Sequence, residues 1–445
     1  MRAALVLTIV ALAGCSGGAA PAAPPLAQGA AATAGSRDSS YSTPIRHVVI
    51  IMQENRSFDN LFAGYPGADA PMYGRLQHGR IIPLEPVTFD TPDLGHGYGE
   101  SITDYAGGKM DGFSQNYNSN GKQAGTSDYA YLQRSLVRPY WIMAHQYTLA
   151  DKMFADEHGA SWTAHLSIIG TTNISPSRAL VDFPSNSPFD CFAPKGTRTS
   201  YITAQGGYYS NGPFPCFTQF RTMADTLDAA GVSWRYYTTP VSGMGSYWSP
   251  FAAVKSVRYG PDWSKVIVPP TTVLTDIAKG NLANVVWVTP DWSYSDHAGG
   301  GATMGPSWVS AVVNTIGQSK YWNSTAIVLL WDEWGGWYDD APPPQITFKG
   351  LGLRVGCVII SPYARHDYVS HTQYQFSSVL HFVEQVFNLP PLGPAWAGYA
   401  DRTSNSIIDS FDFTQTPSVF KTIPAPIPPS QFLKMRPSGR APDDY

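Results

Sequence analysis

Four apolar runs in the chain have the length and composition of buried strands. Each is largely apolar and rich in Val and Ile, which fits a strand covered on both faces, as in a parallel sheet. Three of them pass directly into polar or turn residues. The runs are VVIIM (48–52), ANVVWVTPD (283–291), TAIVLLWDEWGG (325–336) and RVGCVIISPY (354–363).

Helical patterns alternate with these runs. The pattern at 220–231 ends at a glycine, the one at 308–318 is amphipathic, and the one at 375–388 is closed by Asn388 and Pro390. Strands that alternate with helices predict an α/β fold: a doubly wound, mostly parallel central sheet with helices on both faces. The segment 180–260 is predicted to be a loop-rich insertion over the sheet.

The first 15 residues have the pattern of a bacterial lipoprotein signal peptide. Arg2 precedes an apolar run that is too short for a permanent transmembrane helix, and LAGC resembles a lipobox that would make Cys15 the lipidated N-terminus. The alternative is an ordinary signal peptide cut nearby. Residues 16–43, rich in Ala, Gly, Pro and Ser, are predicted to be a flexible tether. The chain is therefore expected to be exported, as a membrane-anchored lipoprotein or as an extracellular or periplasmic protein.

The predicted export affects the oxidation state expected of the remaining cysteines. In an oxidising compartment Cys191 and Cys216, which share one Gly/Pro/Tyr-rich stretch, are expected to form a disulfide. Cys357 lies within an apolar run and is predicted to be a buried thiol. CxxC and HExxH patterns do not occur in the sequence, which argues against the common zinc signatures.

The length and charge of the chain narrow its function class. Its 445 residues suffice for one large α/β domain or two smaller ones, and no clean linker divides them. Only 14% of residues are charged and the net charge is -4. A nucleic-acid partner would require a clustered basic excess, so none is expected.

Two acidic pairs stand at the ends of predicted core strands. Glu54 and Asn55 follow the first apolar run, and Asp332 and Glu333 follow the third. Ligands of open α/β sheets bind beyond the carboxyl ends of the strands, so the two pairs are expected to meet. Carboxylates brought together repel one another unless a cation lies between them. The pattern favours one divalent metal ion of unknown identity; the alternative is that each pair caps a helix or binds an arginine.

Ser161 is the candidate nucleophile. It precedes an apolar helical run and is predicted to be the helix N-cap, where backbone N–H groups and the helix dipole attract an anion. Next to a metal ion, a serine can attack phosphorus without a histidine base. The alternative is a serine that only caps the helix.

Histidines in glycine-flanked loops complete the candidate site. His96 lies in PDLGHGYGE and His297 in YSDHAGG. The other histidines are weaker candidates, namely His158, His165 and His371, or are predicted to be structural, namely His145, His366 and His381.

The string HVVIIMQENRSFDNLFAGYPG resembles the opening motif of the bacterial phosphoesterase family that holds phospholipases C and related acid phosphatases. GGKMDGF, TLDAAGVSWRYY, DEWGGWYDDAPPP, LRVGCVIISPYA and SIIDSFDF resemble later family blocks in the same order. The resemblance covers about residues 44–415, which it implies to be a catalytic domain with an alkaline-phosphatase-like fold. Residues 416–445 would form a C-terminal tail.

The resemblance also implies roles for individual residues. The metal would be bound by the family's two ligand pairs, Ser161 of "GAS" would be the nucleophile, and two histidines would contact the phosphoryl group. His96 would bind this group or protonate the leaving group, and His297 would face the phosphate. The implied metal ligands are Glu54, Asn55, Asp332 and Glu333.

The sequence departs from the family pattern at two places. Thr163-Ala164 replaces Pro-Asn after the nucleophile, although His165 keeps a basic residue next, and Asp339-Asp340-Ala341 replaces "DHV". Both departures bear on the choice of substrate more than on phosphoryl transfer. The second departure removes one histidine that the family usually has, but it does not change the implied metal ligands or Ser161.

The predicted function is therefore a secreted metal-dependent phosphoesterase that uses a serine nucleophile and resembles an acid phosphatase. The alternative is a phospholipase C acting on phosphatidylcholine-type lipids, so the substrate is a small phosphate ester or a phospholipid headgroup. The length of the chain slightly favours the phosphatase. A sulfatase is poorly supported because ISPSR (174–178) has Ile174 where formylglycine would form. A non-catalytic surface lipoprotein is a remote alternative.

Overall fold

The computed structural model describes residues 42–171, 179–219, 221–241, 243–299, 303–346 and 350–440. Cys15 and the predicted signal peptide lie outside the described residues. Residues 16–41 of the predicted tether, the ISPSR segment around Ile174 and residues 441–445 of the predicted tail also lie outside them.

The strands of the described chain are short, with two to seven residues each. In chain order they are β1 (His47–Gln53), β2 (Tyr73–Arg75), β3 (Ile81–Pro83), β4 (Glu85–Val87), β5 (Ala130–Leu132), β6 (Thr148–Ala150), β7 (Met153–Phe154), β8 (Leu180–Pro184), β9 (Thr199–Ile202), β10 (Tyr208–Tyr209), β11 (Trp234–Tyr237), β12 (Val266–Ile267), β13 (Val285–Val288), β14 (Thr325–Trp331), β15 (Arg354–Val355), β16 (Cys357–Ile360), β17 (Tyr368–Ser370) and β18 (Tyr374–Gln375).

Helices connect these strands. In chain order they are α1 (Phe58–Phe62), α2 (Tyr98–Tyr105), α3 (Arg138–Gln146), α4 (Ser161–Ser167), α5 (Met223–Ala229), α6 (Lys255–Arg258), α7 (Thr272–Ala278), α8 (Gly305–Gly317), α9 (Phe376–Phe387) and α10 (Pro429–Phe432).

An eight-stranded sheet forms the centre of the fold, in the order β12-β11-β13-β1-β14-β16-β6-β17. β1 pairs in parallel with β13 and β14. β16 is antiparallel to both of its neighbours, β14 and β6. Val48 to Ile51 are completely buried although successive side chains point to opposite faces, so both faces of β1 are covered. The predicted α/β fold with a mostly parallel sheet is confirmed.

The predicted helices are present with slightly different ends. α5 begins inside the 220–231 pattern, where Thr222 and Asp225 form a capping box. α8 covers the 308–318 pattern, and α9 ends where Asn388 takes a left-handed conformation with φ 51°. Asparagine tolerates the left-handed region better than most other non-glycine residues, which explains why this residue closes the helix.

The segment 180–260 is more regular than its composition indicates. It holds the three-stranded sheet β8–β10, the helix α5 and also β11, which belongs to the central sheet between β12 and β13. A disulfide joins Cys191 and Cys216, as predicted, with their Cα atoms 4.5 Å apart. Cys357 is a buried free thiol, also as predicted.

Residues beyond 415 pack onto the domain. The Phe432 side chain is completely buried, and its ring lies 5.4 Å from that of Trp308 and 5.6 Å from that of Tyr294. Ile423 is also buried and exchanges hydrogen bonds with Asn314 of α8. Across the described residues, the helices lack the combined length and apolarity needed to traverse a membrane.

Candidate active site

The two acidic pairs meet because their strands are neighbours. Gln53 of β1 lies opposite Trp331 of β14 in a parallel register, so the residues that follow emerge at the same edge of the sheet. The backbone N–H of Asn55 donates to Asp332 Oδ1 at 3.0 Å. Glu54 and Asp332 are completely buried. The predicted meeting of the pairs therefore occurs.

Asn55 has an unusual backbone conformation. Its φ of 53° is in the left-handed region, which non-glycine residues rarely occupy. Gly335 of the DEWGG loop approaches it so closely that a Cβ on Gly335 would lie 2.2 Å from the Asn55 carbonyl oxygen. This glycine is therefore required for the loop after β14 to pack against the turn after β1.

Ser161 is the first residue of α4 and not its N-cap, so this prediction was wrong. Ala160, in an extended conformation, is the N-cap residue and has no side chain that could accept a hydrogen bond. The Ser161 Oγ instead accepts a hydrogen bond from Asn55 Nδ2 at 3.2 Å. Ser161 therefore does not cap the helix, which was the alternative to its role as a nucleophile.

His96 approaches the same amide. Its Nε2 lies 3.2 Å from Asn55 Nδ2, while its Nδ1 lies 2.6 Å from the carbonyl oxygen of Leu94. Because the carbonyl can only accept, the proton resides on Nδ1 and Nε2 accepts from Asn55. His96 thus presents an unprotonated nitrogen to the same amide group that donates to Ser161.

His297 lies beside His96, with the ring centroids 5.6 Å apart. Its Nδ1 donates to the carbonyl of Ala298 at 2.8 Å. A carboxylate oxygen of Asp93 lies 3.8 Å from Nδ1 of His96 and 3.9 Å from Nδ1 of His297. Sequence reasoning missed Asp93, although it stands three residues before His96 in the same loop.

Arg56 stabilises the loop that carries His297. Its Nε donates to the carbonyl of Asp296 at 2.7 Å, and its guanidinium lies 4.8 Å from the ring of Trp337 and 5.4 Å from that of Phe89. Burial lowers the pKa of Arg56 to about 10, and burial raises the pKa of the nearby Asp296 carboxyl to about 6. The third residue of the "ENR" string therefore orders a neighbouring loop.

Glu333, the fourth implied metal ligand, lies close to His96. Glu333 Oε1 is 3.9 Å from His96 Nε2, and its Oε2 accepts from the backbone N–H of Gly335 at 2.7 Å. Glu54 and Asp332 instead share a neighbour in His165. All four implied ligands thus belong to one buried region, but the acidic side chains contact different histidines.

His165, a weaker candidate from sequence, faces the acidic residues. Its Nε2 lies 3.0 Å from Glu54 Oε1 and 4.0 Å from Asp332 Oδ2. Glu54, His165 and Asp332 form a group that could hold a metal ion, with one ligand atom of each within 4.8 Å of the others. Burial raises the pKa of Tyr236, which contacts the other nitrogen of His165, and the carboxylates raise it further. The helical spacing of Ser161 and His165 could have indicated this arrangement.

The amide of Asn55 provides a test of whether these residues fit a cation. Its Oδ1 is buried and lacks a hydrogen-bond partner among the described residues, while its Nδ2 donates to Ser161. A buried carbonyl oxygen without a partner is costly, and a cation would satisfy it. Carboxylate and amide oxygens are ligands that divalent ions take. The residues present therefore fit a metal ion.

The acidic residues that replace "DHV" belong to another cluster. Asp339 and Asp340 each bind the guanidinium of Arg354 at 2.8 Å, and Asp59 binds it at 3.1 Å. These residues could also hold a metal by their spacing, but the buried Arg354 offsets part of their charge, and burial raises the pKa of all three carboxyls. The departure from the family pattern is thus accommodated by an ion cluster.

The remaining histidines lie elsewhere. His158 is buried against Ser101 of α2. His371 binds Asp151 and His145 binds Asp367, each at 2.8 Å, with more than half of each histidine side chain exposed. His145 and His371 are thus ion-pair partners of carboxylates outside the candidate site.

Fold and site together define an α/β protein with a serine, two histidines and a candidate metal group at the carboxyl edge of its sheet. The sequence model of the Phosphoesterase family matches residues 45–390. The chain belongs to the Phosphoesterase family, as the resemblance predicted.

Several phospholipases C are similar to this chain in sequence. The chain is 24% identical over 443 residues to a non-hemolytic phospholipase C of Burkholderia pseudomallei, covering 82% of this chain and 58% of that protein. It is 26% identical over 446 residues to phospholipase C A of Mycobacterium tuberculosis, covering 85% and 79%. With the non-specific phospholipase C4 of Arabidopsis thaliana the identity is 22%, covering 81% and 71%. The chain thus spans just over half the length of the first relative.

Among solved structures, the chain is similar to a Vibrio parahaemolyticus protein of the alkaline phosphatase superfamily. The TM-score is 0.39 at 10% identity, covering 82% of this chain and 71% of that one. Membership of the family and the named relatives support the predicted enzyme class, a phosphoric ester hydrolase.

Proposed function

We propose that the chain is a metal-dependent phosphoesterase that hydrolyses phosphate esters with Ser161 as the nucleophile. The observation that carries the proposal is the position of the Asn55 amide between Ser161 Oγ and His96 Nε2, 3.2 Å from each. Asn55, in the turn after β1, thereby contacts both the Ser161 hydroxyl and the unprotonated nitrogen of His96. Ser161 and His96 are completely buried.

Glu54, Asn55, Asp332 and Glu333 are the residues that would hold the ion. When bound, it would lower the pKa of the Ser161 hydroxyl and offset charge on the phosphoryl group. The amide group of Asn55 holds the hydroxyl in one orientation by donating to it. Positioning of this kind is a main contribution of the protein to phosphoryl transfer.

In the first step, Ser161 Oγ forms a bond with phosphorus while the bond to the leaving oxygen breaks. His96 Nε2 takes up the proton that the Ser161 hydroxyl loses and passes it to the leaving oxygen. Carboxylates of Asp93 and Glu333, 3.8 and 3.9 Å from its two nitrogens, stabilise the imidazolium. His297 contacts the non-bridging oxygens of the phosphoryl group.

In the second step, water attacks the same phosphorus and the bond to Ser161 Oγ breaks. The serine oxygen regains the proton that the attacking water loses, and phosphate or a phosphorylated headgroup is released. Two inversions at phosphorus leave its configuration retained. Ser161 thus returns to its starting state after each turnover.

Two substrate classes follow from the proposal. A phosphomonoester would make the chain an acid phosphatase, which is the function predicted from sequence. A choline-type phosphodiester would make it a phospholipase C, and the names of the relatives favour this second candidate.

Hydrolysis of p-nitrophenyl phosphate and p-nitrophenylphosphorylcholine tests the proposal and separates the candidates. We expect Ser161→Ala to reduce kcat on the preferred ester on the order of 10³-fold or more. Removal of metal by a chelator should abolish turnover, and resupplied divalent ions should restore it.

Ser167→Ala is the matched control. Ser167 is buried in the same helix, donates to the Thr163 carbonyl at 3.1 Å and has no place in the proposed mechanism. Its variant should retain wild-type turnover. Undiminished activity of Ser161→Ala, with equal folding of both variants, would refute the assignment of the nucleophile.

A further inference from the structure

We propose that His165 is itself a ligand of the ion, so that the site binds Zn²⁺ or a similar transition-metal ion in preference to Mg²⁺ or Ca²⁺. This inference deepens the proposed function and rests on its metal dependence. The resemblance described above implies oxygen ligands from the two acidic pairs, and His165 is not one of them.

The position of His165 on α4 directs it to the acidic residues. It lies four residues after Ser161, and residues at this spacing share one face of a helix. Two atoms bound to one ion at about 2.1 Å each can be at most about 4.2 Å apart. The distances from His165 Nε2 to Glu54 Oε1 and Asp332 Oδ2, 3.0 and 4.0 Å, satisfy this limit.

The hydrogen bonds around His165 direct Nε2 towards the carboxylates. The hydroxyl of Tyr236 donates to the carbonyl of Trp248 at 3.0 Å, so its oxygen accepts from other groups. His165 Nδ1 lies 3.3 Å from that oxygen and supplies the proton. Nε2 is then the nitrogen that faces Glu54 and Asp332, as metal-binding imidazoles do when the other nitrogen is hydrogen-bonded.

The neighbouring amide is an independent indication of a cation. Asn55 Oδ1 is buried and lacks a hydrogen-bond partner among the described residues, and the backbone N–H of the same residue binds Asp332. Burial of Glu54, His165 and Asp332 is complete. Two buried carboxylates beside an imidazole nitrogen and an amide oxygen form a mixed nitrogen–oxygen set.

A mixed set of this kind distinguishes between metals. Mg²⁺ and Ca²⁺ are hard ions that bind oxygen ligands, whereas imidazole suits Zn²⁺ and similar transition-metal ions. The presence of His165 should therefore raise the affinity for Zn²⁺ and leave that for Mg²⁺ nearly unchanged.

Calorimetric titration of metal-depleted protein with Zn²⁺ and with Mg²⁺ tests the inference without measuring turnover. We expect the wild type to bind Zn²⁺ more tightly than Mg²⁺. His165→Gln should weaken Zn²⁺ binding by more than the roughly 10- to 100-fold that loss of a group outside the ligand set costs, because a direct ligand is removed. Its Mg²⁺ affinity should remain that of the wild type.

His381→Gln provides the control, since His381 of α9 contacts the carbonyl of Ser404 at 3.1 Å and lies outside the metal group. It should bind Zn²⁺ as the wild type does. Equal Zn²⁺ affinity in His165→Gln and the wild type would overturn the inference and make His165 only an ion-pair partner of Glu54.

Spectroscopy provides a second test of the same position. The visible d–d bands of Co²⁺-loaded wild type and His165→Gln should differ, because the loss of an imidazole ligand changes the ligand field. Identical spectra of the two folded, Co²⁺-loaded proteins would contradict ligation by His165.

The inference and the proposed function can fail separately. Zn²⁺ binding that depends on His165 without hydrolysis of any phosphate ester would support the inference and refute the proposed activity. Metal-dependent hydrolysis, together with a Zn²⁺ affinity that His165→Gln leaves unchanged, would support the proposed activity and refute the inference.

Discussion

Asn55 is the residue on which the site is centred. Its backbone N–H binds Asp332, and its side-chain amide donates towards Ser161 and His96. It holds a left-handed conformation that costs free energy and persists only where the surroundings determine it. One strained residue thereby connects both strand ends with the candidate nucleophile and acid.

Gly335→Ala tests this central position of Asn55. The added methyl group would lie 2.2 Å from the Asn55 carbonyl oxygen, at a backbone φ of 66° that disfavours alanine. We expect the loop carrying Glu333 to shift, with a large loss of kcat and a loss of more than about 1 kcal/mol in the free energy of unfolding. Urea denaturation and turnover of the preferred ester provide the measurements.

Gly121→Ala is the matched control for this substitution. Gly121 has nearly the same conformation, φ 68°, but a Cβ there would meet no atom within 4 Å. Its variant should show only the conformational cost and keep its activity. Equal effects in the two variants would show that the contact with Asn55 is unimportant.

At the residue scale, sequence identified the groups that follow directly from strand ends. Glu54, Asn55 and Asp332 were predictable because parallel strands place their carboxyl ends together. Asp93 and His165 were not assigned, since their positions depend on how a loop folds and how a short helix is rotated. The spacing of Ser161 and His165 puts both on one face of a helix, but it does not say which residues that face contacts.

At the element scale, α4 depends on the segment that precedes it. His158, three residues before Ser161, is buried and hydrogen-bonded with Ser101 of α2. Its ring lies 5.6 Å from that of Tyr105. This contact fixes the start of α4 against a neighbouring helix.

The contact at His158 should make the stability of the protein depend on pH. Burial lowers the pKa of His158 to about 4, whereas a histidine in the unfolded chain has a pKa of about 6.5. Below about pH 6.5 the unfolded chain therefore binds a proton that the folded protein does not. The free energy of unfolding should fall by up to about 1.4 kcal/mol per pH unit until about pH 4.

His158→Gln removes this titration and isolates its contribution. Urea denaturation of both proteins from neutral to mildly acid pH should show that the wild type loses its advantage over the variant as the pH falls. Other buried acids affect both proteins equally, so only the difference is interpreted. Parallel pH profiles would contradict the assigned burial of a neutral His158.

The elements themselves were predictable to different degrees. β1, β13 and β14 followed from long apolar runs, and α8 and α9 from their periodicity. β11 was missed because its WRYY sequence is short and lies in a loop-rich stretch. The antiparallel direction of β16 could not be predicted, since an apolar run does not record which way a buried strand points.

At the scale of the whole molecule, the family match ends at residue 390, but the fold continues. Ile423 and Phe432 are buried against the domain, so the segment predicted as a tail contributes to its packing. The Cys191–Cys216 disulfide is in keeping with the proposal that the chain is exported.

The central claim is that the whole fold serves to present Ser161 to phosphorus. Rapid acid quenching during turnover of the preferred ester, followed by mass spectrometry of peptides, tests this claim most directly. The account predicts a phosphoryl adduct on the peptide that contains Ser161, present in the wild type and absent from Ser161→Ala. An adduct on another residue, or turnover with no adduct under conditions in which breakdown of the intermediate limits the rate, would contradict it.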